Sequence, residues 1–429
     1  MRAGGRIGRT ALAFDAATGR SAFHAPPVPS GGAPLALSTE FAHHRPVRLV
    51  YVTQVRLDTP HGGPRHVHAV VRSLARRGHA VTLIGPGDDT VPADLSRLRR
   101  IRTGRTLAPG ARLELALAGS VARAVFERSP EVACVRICPS TSAVPETLAR
   151  LSVPFWLELN GRVIEEMRRS GAPTWKQAMA QASLQWACRR AAGVVAVAEN
   201  IAEHARRVLR ARRVEVVENG ADTETAIPGD RTEARRELQL PQGVPIVAFA
   251  GSFVPEQQLS LLFEAVLGMP AEVRLILAGD GPGRSQVEAA AQAHPDRIQY
   301  WGPVAHDRAV KLLQAATLCA NARDGDLGMK PFEAAAVGRR IVVFEAPGVH
   351  RLTELYRPED RGVEVVKARS AEALRAGIAR AIEAESQGPI PRATVERVRR
   401  AVGWDRAVDQ LEALFQQAAG GSSQRALTP

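Results

Sequence analysis

Short apolar runs rich in β-branched residues alternate with amphipathic helical stretches along this chain, and the alternating series occurs twice. Val47–Val55 (VRLVYVTQV) is the first run, of the kind buried on both faces in parallel sheets. A glycine-containing loop follows, then a stretch with Val67, Val70, Val71, Leu74 and Ala75 at helical spacing and Gly78 as its stop. HAVTLIGP comes next as a strand, giving a βαβ opening with a right-handed crossover. Leu98–Val125 reads as helical and arginine-rich. Residues 132–137, 153–159 and 193–198 are further strand candidates, with a long helix over Thr174–Ala191. RVEVVENGAD (213–222) runs from a strand into an Asn-Gly turn.

The second series places strands at 244–253, 273–283, 297–304, 317–322 and 340–347. Its helices fall near 257–267, from Arg284, and near 307–315, 330–338 and 369–385. A stripe of Trp404, Val408, Leu411, Leu414 and Phe415 marks a closing helix over 404–417, followed by a loose tail. This layout predicts two doubly wound parallel sheets. The expected organisation is a tail over 1–46, a first Rossmann-like domain over 47–222, a second over 223–403, and a final helix and tail over 404–429. With 429 residues and 45% hydrophobic content, there is enough apolar surface for two cores.

The net charge of +13 admits a solvated basic surface or attraction to anionic lipid or an anionic acceptor. Aromatics are only 4% and no basic stretch interleaves with them, so no nucleic-acid partner is expected. No apolar run approaches the roughly 18 residues of a membrane span. The N-terminal arginines precede no apolar segment, so no secretory signal is expected. The four cysteines (134, 138, 188, 319) have no zinc spacing and read as reduced thiols. A cytoplasmic location, with or without peripheral contact at the inner membrane face, follows.

In open α/β sheets ligands bind beyond the carboxyl ends of the strands, so the loops there carry the candidates. Gly62-Gly63 lies between strand and helix, either as an ordinary turn or as a place where backbone approaches phosphate. Gly279-Asp280-Gly281-Pro282 has the same setting and the same two readings. Lys330 and Glu333 share the first turn of a helix that continues into Ala334-Ala335-Ala336. They are either a surface ion pair or a lysine for a diphosphate and a carboxylate for a vicinal diol. Asp324-x-Asp326 has a spacing that could hold Mg²⁺ but arises easily in such a loop, and no metal is expected. His61, His66 and His68 lack a carboxylate or cysteine partner in the sequence and read as loop or cap residues.

Taken in order, these segments resemble the family-4 retaining glycosyltransferases of the GT-B fold over about Val47–Phe415. The resemblance is carried by GGPRHVHAVVRSLARRGHAVTLI, by VVAVAENIAEHA with RVEVVENGAD, and by LILAGDGPGRSQVE. IQYWGPVAHDRAVKLLQAATLCANA and GWDRAVDQLEALF complete it. It implies two Rossmann-like domains facing a cleft, with the last helix packed back on the first domain. It implies sugar transfer, with retention, from a nucleotide diphosphate sugar of UDP or GDP type to a glycan, lipid-linked or small-molecule acceptor. The donor is a substrate, and no cofactor is implied.

The resemblance assigns Glu333 to ribose, Lys330 to the diphosphate and Asn160, where many relatives have a histidine, to the donor sugar. These three form the catalytic set. Gly62 and Gly63 lie near the phosphates, and Ser252, Gln257, Gly281 and Gly328 complete the donor pocket. Three departures stand out. Gly325 occupies the place of the family's first glutamate. Ser252 and Gln257 replace its arginine and lysine, although GSFVPEQQ with GMKPFE resembles a branch in which Lys330 carries the phosphate charge. These losses motivate two alternatives: a decayed binding or scaffold subunit on the same fold, or a nucleotide-sugar epimerase.

Overall fold

The computed structural model describes residues 45–59, 62–88, 96–103, 110–136, 142–324 and 327–425. Among these described residues, thirteen strands form two sheets. The first holds β1 (Arg48–Thr53), β2 (Ala80–Gly85), β3 (Leu98–Arg102), β4 (Val132–Arg136), β5 (Phe155–Leu159), β6 (Gly193–Ala196) and β7 (Val214–Val216). The second holds β8 (Ile246–Ser252), β9 (Arg274–Asp280), β10 (Ile298–Tyr300), β11 (Leu318–Asn321), β12 (Arg340–Phe344) and β13 (Val363–Val366). The strand orders are β3-β2-β1-β4-β5-β6-β7 and β10-β9-β8-β11-β12-β13. Every pairing is parallel, as in Leu49↔Val81 and Gly251↔Gly279.

Parallel sheets need cover on both faces, and these have it. Val50, Val52, Leu157 and Val194 pack under one set of helices, and Leu49, Tyr51, Trp156 and Val195 under the other. The second sheet divides likewise between Ile246, Ala248 and Ile341 on one face and Val247, Leu275 and Val342 on the other. From Arg45 onward the chain forms one compact unit. The closing helix, Trp404–Arg425, returns to the first sheet: Ala407, Val408, Leu411 and Phe415 pack against Val67, Val70 and Leu74 of helix Gly62–Arg76. The outgoing chain and the returning chain touch where Ala221 N donates to Val402 O at 2.7 Å.

Several segments differ from the sequence expectation. Leu98–Arg102 is strand β3, and helix begins only at Ala111. Being an edge strand, β3 exposes part of one face, so LRRIR shows none of the apolar continuity that marks the central strands. An edge strand of the second sheet, β13 (VEVV), is half-buried for the same reason and carries Glu364 paired with Arg380. The last helix runs on to Arg425 rather than ending at residue 417. Short helices at Ala143–Arg150, Val163–Arg169, Glu199–Arg207, Arg231–Glu237, Val349–Leu355 and Arg392–Val402 complete the crossovers. Among the described cysteines, Cys134, Cys188 and Cys319 are free and buried, while Cys138 lies outside the described residues.

Candidate functional site

Each sheet reverses its winding at one point, between β1 and β4 in the first and between β8 and β11 in the second. The crevice at such a reversal is where doubly wound sheets take ligands. Gly62 follows β1, the Lys330–Ala336 helix follows β11, and Ser252 ends β8, so these candidates flank the two reversals. A cavity of about 390 Å³ opens between the sheets. Gly62, His66, Arg136, Asn160 and Asn219 line it from the first half, and Arg323, Gly328, Met329 and Arg351 from the second. A neighbouring cavity of about 400 Å³ shares Met329 and is lined by Glu333, Arg65, His68 and Arg72.

Glu333 is only 3% exposed. Lys330 Nζ donates to its Oε2 at 2.8 Å, and Arg65 Nη1, from the first-half helix, stands 3.7 Å from Oε1. The carboxylate therefore faces the other half of the molecule rather than bulk water. Two more ion pairs cross the same gap, Arg351 with Glu218 at 2.5 Å and Arg169 with Glu256. Lys330 packs over the end of β8, its Cγ 3.6 Å from where a Cβ on Gly251 would lie.

The remaining candidates divide. Asn160 and Gly328 line the first cavity with Gly62. Gly63, Ser252, Gln257 and Gly281 line neither. Ser252 is exposed and sits opposite Asp280 in the sheet register. Gln257 is buried in the single turn Pro255–Gln257, and its Oε1 has no hydrogen-bond partner among the described residues. Gly281 answers a packing need: φ is +150°, and a Cβ there would meet the Phe253 backbone at 2.8–3.0 Å. Asp324 pairs with Arg369 at 2.7 Å, which occupies one carboxylate of the Asp-x-Asp spacing; Gly325 and Asp326 lie outside the described residues.

The histidine expectation needs correction. His61 lies outside the described residues, and His68 Nε2 lies 3.3 Å from Leu57 O. His66 is neither a loop nor a cap residue. It is buried on the Gly62–Arg76 helix, with Nε2 2.7 Å from Glu158 Oε1 and Nδ1 2.8 Å from Asn219 Oδ1, and with the Trp404 ring edge-on at 5.0 Å.

Glu158, on β5, is the centre of this network and is 1% exposed. It accepts from Tyr51 Oη at 2.5 Å, Arg136 Nη1 at 2.6 Å and Asn160 Nδ2 at 2.7 Å. Burial opposes its ionisation, but His66, Arg136 and Asn160 together outweigh that and hold the carboxyl well below the usual range. The Tyr51 hydroxyl is pushed up by burial and then by the Glu158 charge. None of the motifs singled out in the sequence contains this network, yet the sequence carries a signal of it. FWLEL and VACVR each carry one charged residue in an otherwise apolar strand, and Arg136 and Glu158 fall opposite each other in the register. A charge inside a strand covered on both faces needs a buried partner.

Comparison with known proteins now decides the family. The Glycosyltransferase Family 4 profile matches residues 60–225, and the Glycosyl transferases group 1 profile matches residues 244–384. The chain belongs to the family-4 glycosyltransferases. Among its relatives is the D-inositol 3-phosphate glycosyltransferase of Nocardia farcinica, 30% identical over 168 residues. That match covers 35% of this chain and 37% of the relative, so it spans little more than a third of the relative's length.

Solved structures extend the likeness in fold to nearly the whole chain. Sucrose-phosphate synthase from Thermosynechococcus elongatus superposes with a TM-score of 0.69 at 19% identity, over 87% of this chain and 100% of the other. Anabaena HepE in complex with UDP and glucose superposes at 0.62 and 17%, over 88% and 99%. The two parallel sheets of this family-4 glycosyltransferase are those of the GT-B fold.

Proposed function

We propose that this chain transfers a sugar, with retention and without a metal, from a nucleotide diphosphate sugar bound between its two sheets. The observation that carries the reading is Glu333: a buried carboxylate beside Lys330, following β11, facing the first half of the molecule. One oxygen is engaged by Lys330, and the other retains capacity for a ribose diol. Lys330 and Arg65 supply positive charge for the departing diphosphate. The complexes of HepE with UDP and of starch synthase IV with ADP and acarbose support a nucleoside diphosphate on this fold. Both ring nitrogens of His66 are turned to Glu158 and Asn219, so His66 is not placed as a general base. Retention then proceeds by the diphosphate leaving the anomeric carbon and taking the acceptor hydroxyl's proton on the same face as the new bond forms. Positioning and charge stabilisation supply the catalysis. Incubation with a panel of nucleotide sugars tests this. Nucleotide release that depends on an acceptor is expected, and no release from any donor contradicts it.

The neutral residues at Ser252 and Gln257 favour one rival, a subunit that keeps the fold and has lost turnover. Such a subunit releases no nucleotide, so the same screen separates the two.

The acceptor we propose is anionic or lipid-linked. Arg136 and Arg323 in the cavity wall fit an anionic group, as does the phosphate in the name of the Nocardia relative's activity. None of the described helices is long and apolar enough to cross a membrane. Trp175 and Met179, one turn apart on helix Thr174–Arg190, are 59% and 64% exposed beside Lys176, and Arg168 and Arg169 lie nearby in sequence. This combination suits peripheral contact with an anionic bilayer, at about 1 kcal/mol per basic residue near the surface. Phosphatidylglycerol-containing vesicles should sediment the protein at low salt and release it at high salt. Trp175→Glu with Met179→Glu should abolish the effect, and equal sedimentation with pure phosphatidylcholine would argue against it.

A further inference from the structure

Asn160 lines the cavity of about 390 Å³ between the sheets with one end of its amide already committed: Nδ2 donates to Glu158 Oε1 at 2.7 Å. The assignment of nitrogen and oxygen is forced, because an ionised carboxylate can only accept. Glu158 cannot turn away to release it. It is fully buried and is held by Tyr51 Oη on Oε2 and by Arg136 Nη1 on Oε1, on two neighbouring strands, with His66 Nε2 2.7 Å from Oε1 and Cys134 Sγ 3.9 Å from Oε2. The amide nitrogen therefore faces inward, and the carbonyl oxygen is the end of Asn160 that remains for the cavity. We propose that Glu158 is a positioning residue that fixes the polarity of Asn160, so that the site presents a hydrogen-bond acceptor there and reads a sugar hydroxyl as donor.

This rests on the reading of the cavity as the sugar-transfer site. A histidine or a freely rotating amide at this position could turn either a donor or an acceptor to the cavity; an amide whose nitrogen is pinned by a carboxylate keeps its carbonyl oxygen on the cavity side. The Asn160→Asp variant is nearly isosteric but sets a second carboxylate against Glu158. At neutral pH the two charges repel, and the side chain leaves its place. As the pH falls, the pair takes up one shared proton. That proton bridges the two carboxyl groups, and an oxygen again faces the cavity as acceptor.

The test measures transfer by the full chain, wild type and Asn160→Asp, across pH 5.5 to 8.5, as the ratio of variant to wild-type kcat/KM. A loss of about 10²-fold is expected at the alkaline end, as for a misplaced contact group. The ratio should climb by about tenfold per unit fall in pH while the shared proton is taken up. In the double variant Glu158→Gln with Asn160→Asp, one charge is gone, and the ratio should be flat with pH. This double variant also serves if Asn160→Asp alone does not fold, since it is expected to fold where the single variant does not. A ratio for Asn160→Asp that does not change with pH, or a double variant that keeps the pH dependence or fails to fold, overturns the proposal. Absence of transfer by the wild type at every pH instead overturns the reading of the cavity itself.

Discussion

Glu333→Ala should weaken nucleoside diphosphate binding by about 1–3 kcal/mol, roughly 5- to 150-fold, the range for a lost buried hydrogen bond to a charged group. The loss should follow the ribose. Truncation leaves Lys330 Nζ without the carboxylate it now touches at 2.8 Å, and it removes the negative charge 3.7 Å from Arg65. The diphosphate end of the site therefore becomes more positive, not less. Inorganic pyrophosphate should bind the variant at least as well as the wild type, while a nucleoside diphosphate binds less well. Calorimetric titration of both ligands into both proteins checks this. Parallel losses for the two ligands would mean that Glu333 acts by holding Lys330 and not by meeting the sugar ring.

The second large effect concerns the frame under that site. Gly279→Ala should destabilise the protein by about 3 kcal/mol or more. Gly279 has φ +147°, and a Cβ there would stand 1.8 Å from Gly251 O and 2.9 Å from Gly251 C, backbone atoms of the paired strand. No rotamer relieves that contact, so β8 and β9 must part at their carboxyl ends. Ser252 would move with them, as would the surface on which Lys330 packs. Gly119→Ala is the control. Gly119 lies within helix Ala111–Arg128 with nothing within 4 Å of the added Cβ, and it should gain roughly 0.5–1 kcal/mol. Denaturant midpoints with unchanged slopes measure both. Equal stability of Gly279→Ala and wild type would contradict the close approach of the two strands.

Central strands were legible because burial on both faces leaves an unbroken apolar run, as in LVYVT of β1 and IVVF of β12. The edge strands β3 and β13 lose that signature, since arginine and glutamate occupy their open faces. Glu333 and Lys330 could be singled out from their spacing on one helical turn and from the family resemblance. Arg65 could not, because its meeting with Glu333 joins residues far apart in sequence. Glu158 stood in plain view as a lone charge in FWLEL, but Tyr51, His66 and Arg136, which meet it, come from three separate segments that only the fold brings together. Gly281 shows the converse. A glycine turn between strand and helix suggests ligand approach, and here the neighbouring backbone of Phe253 already accounts for it.

Titration of UDP, GDP and ADP into the folded full chain measures directly whether a nucleoside diphosphate binds it. Saturable, one-to-one binding of at least one of the three is expected, displaced by the matching nucleotide sugar. A folded protein that takes up none of them, at concentrations well above those of ordinary donor substrates, would contradict it.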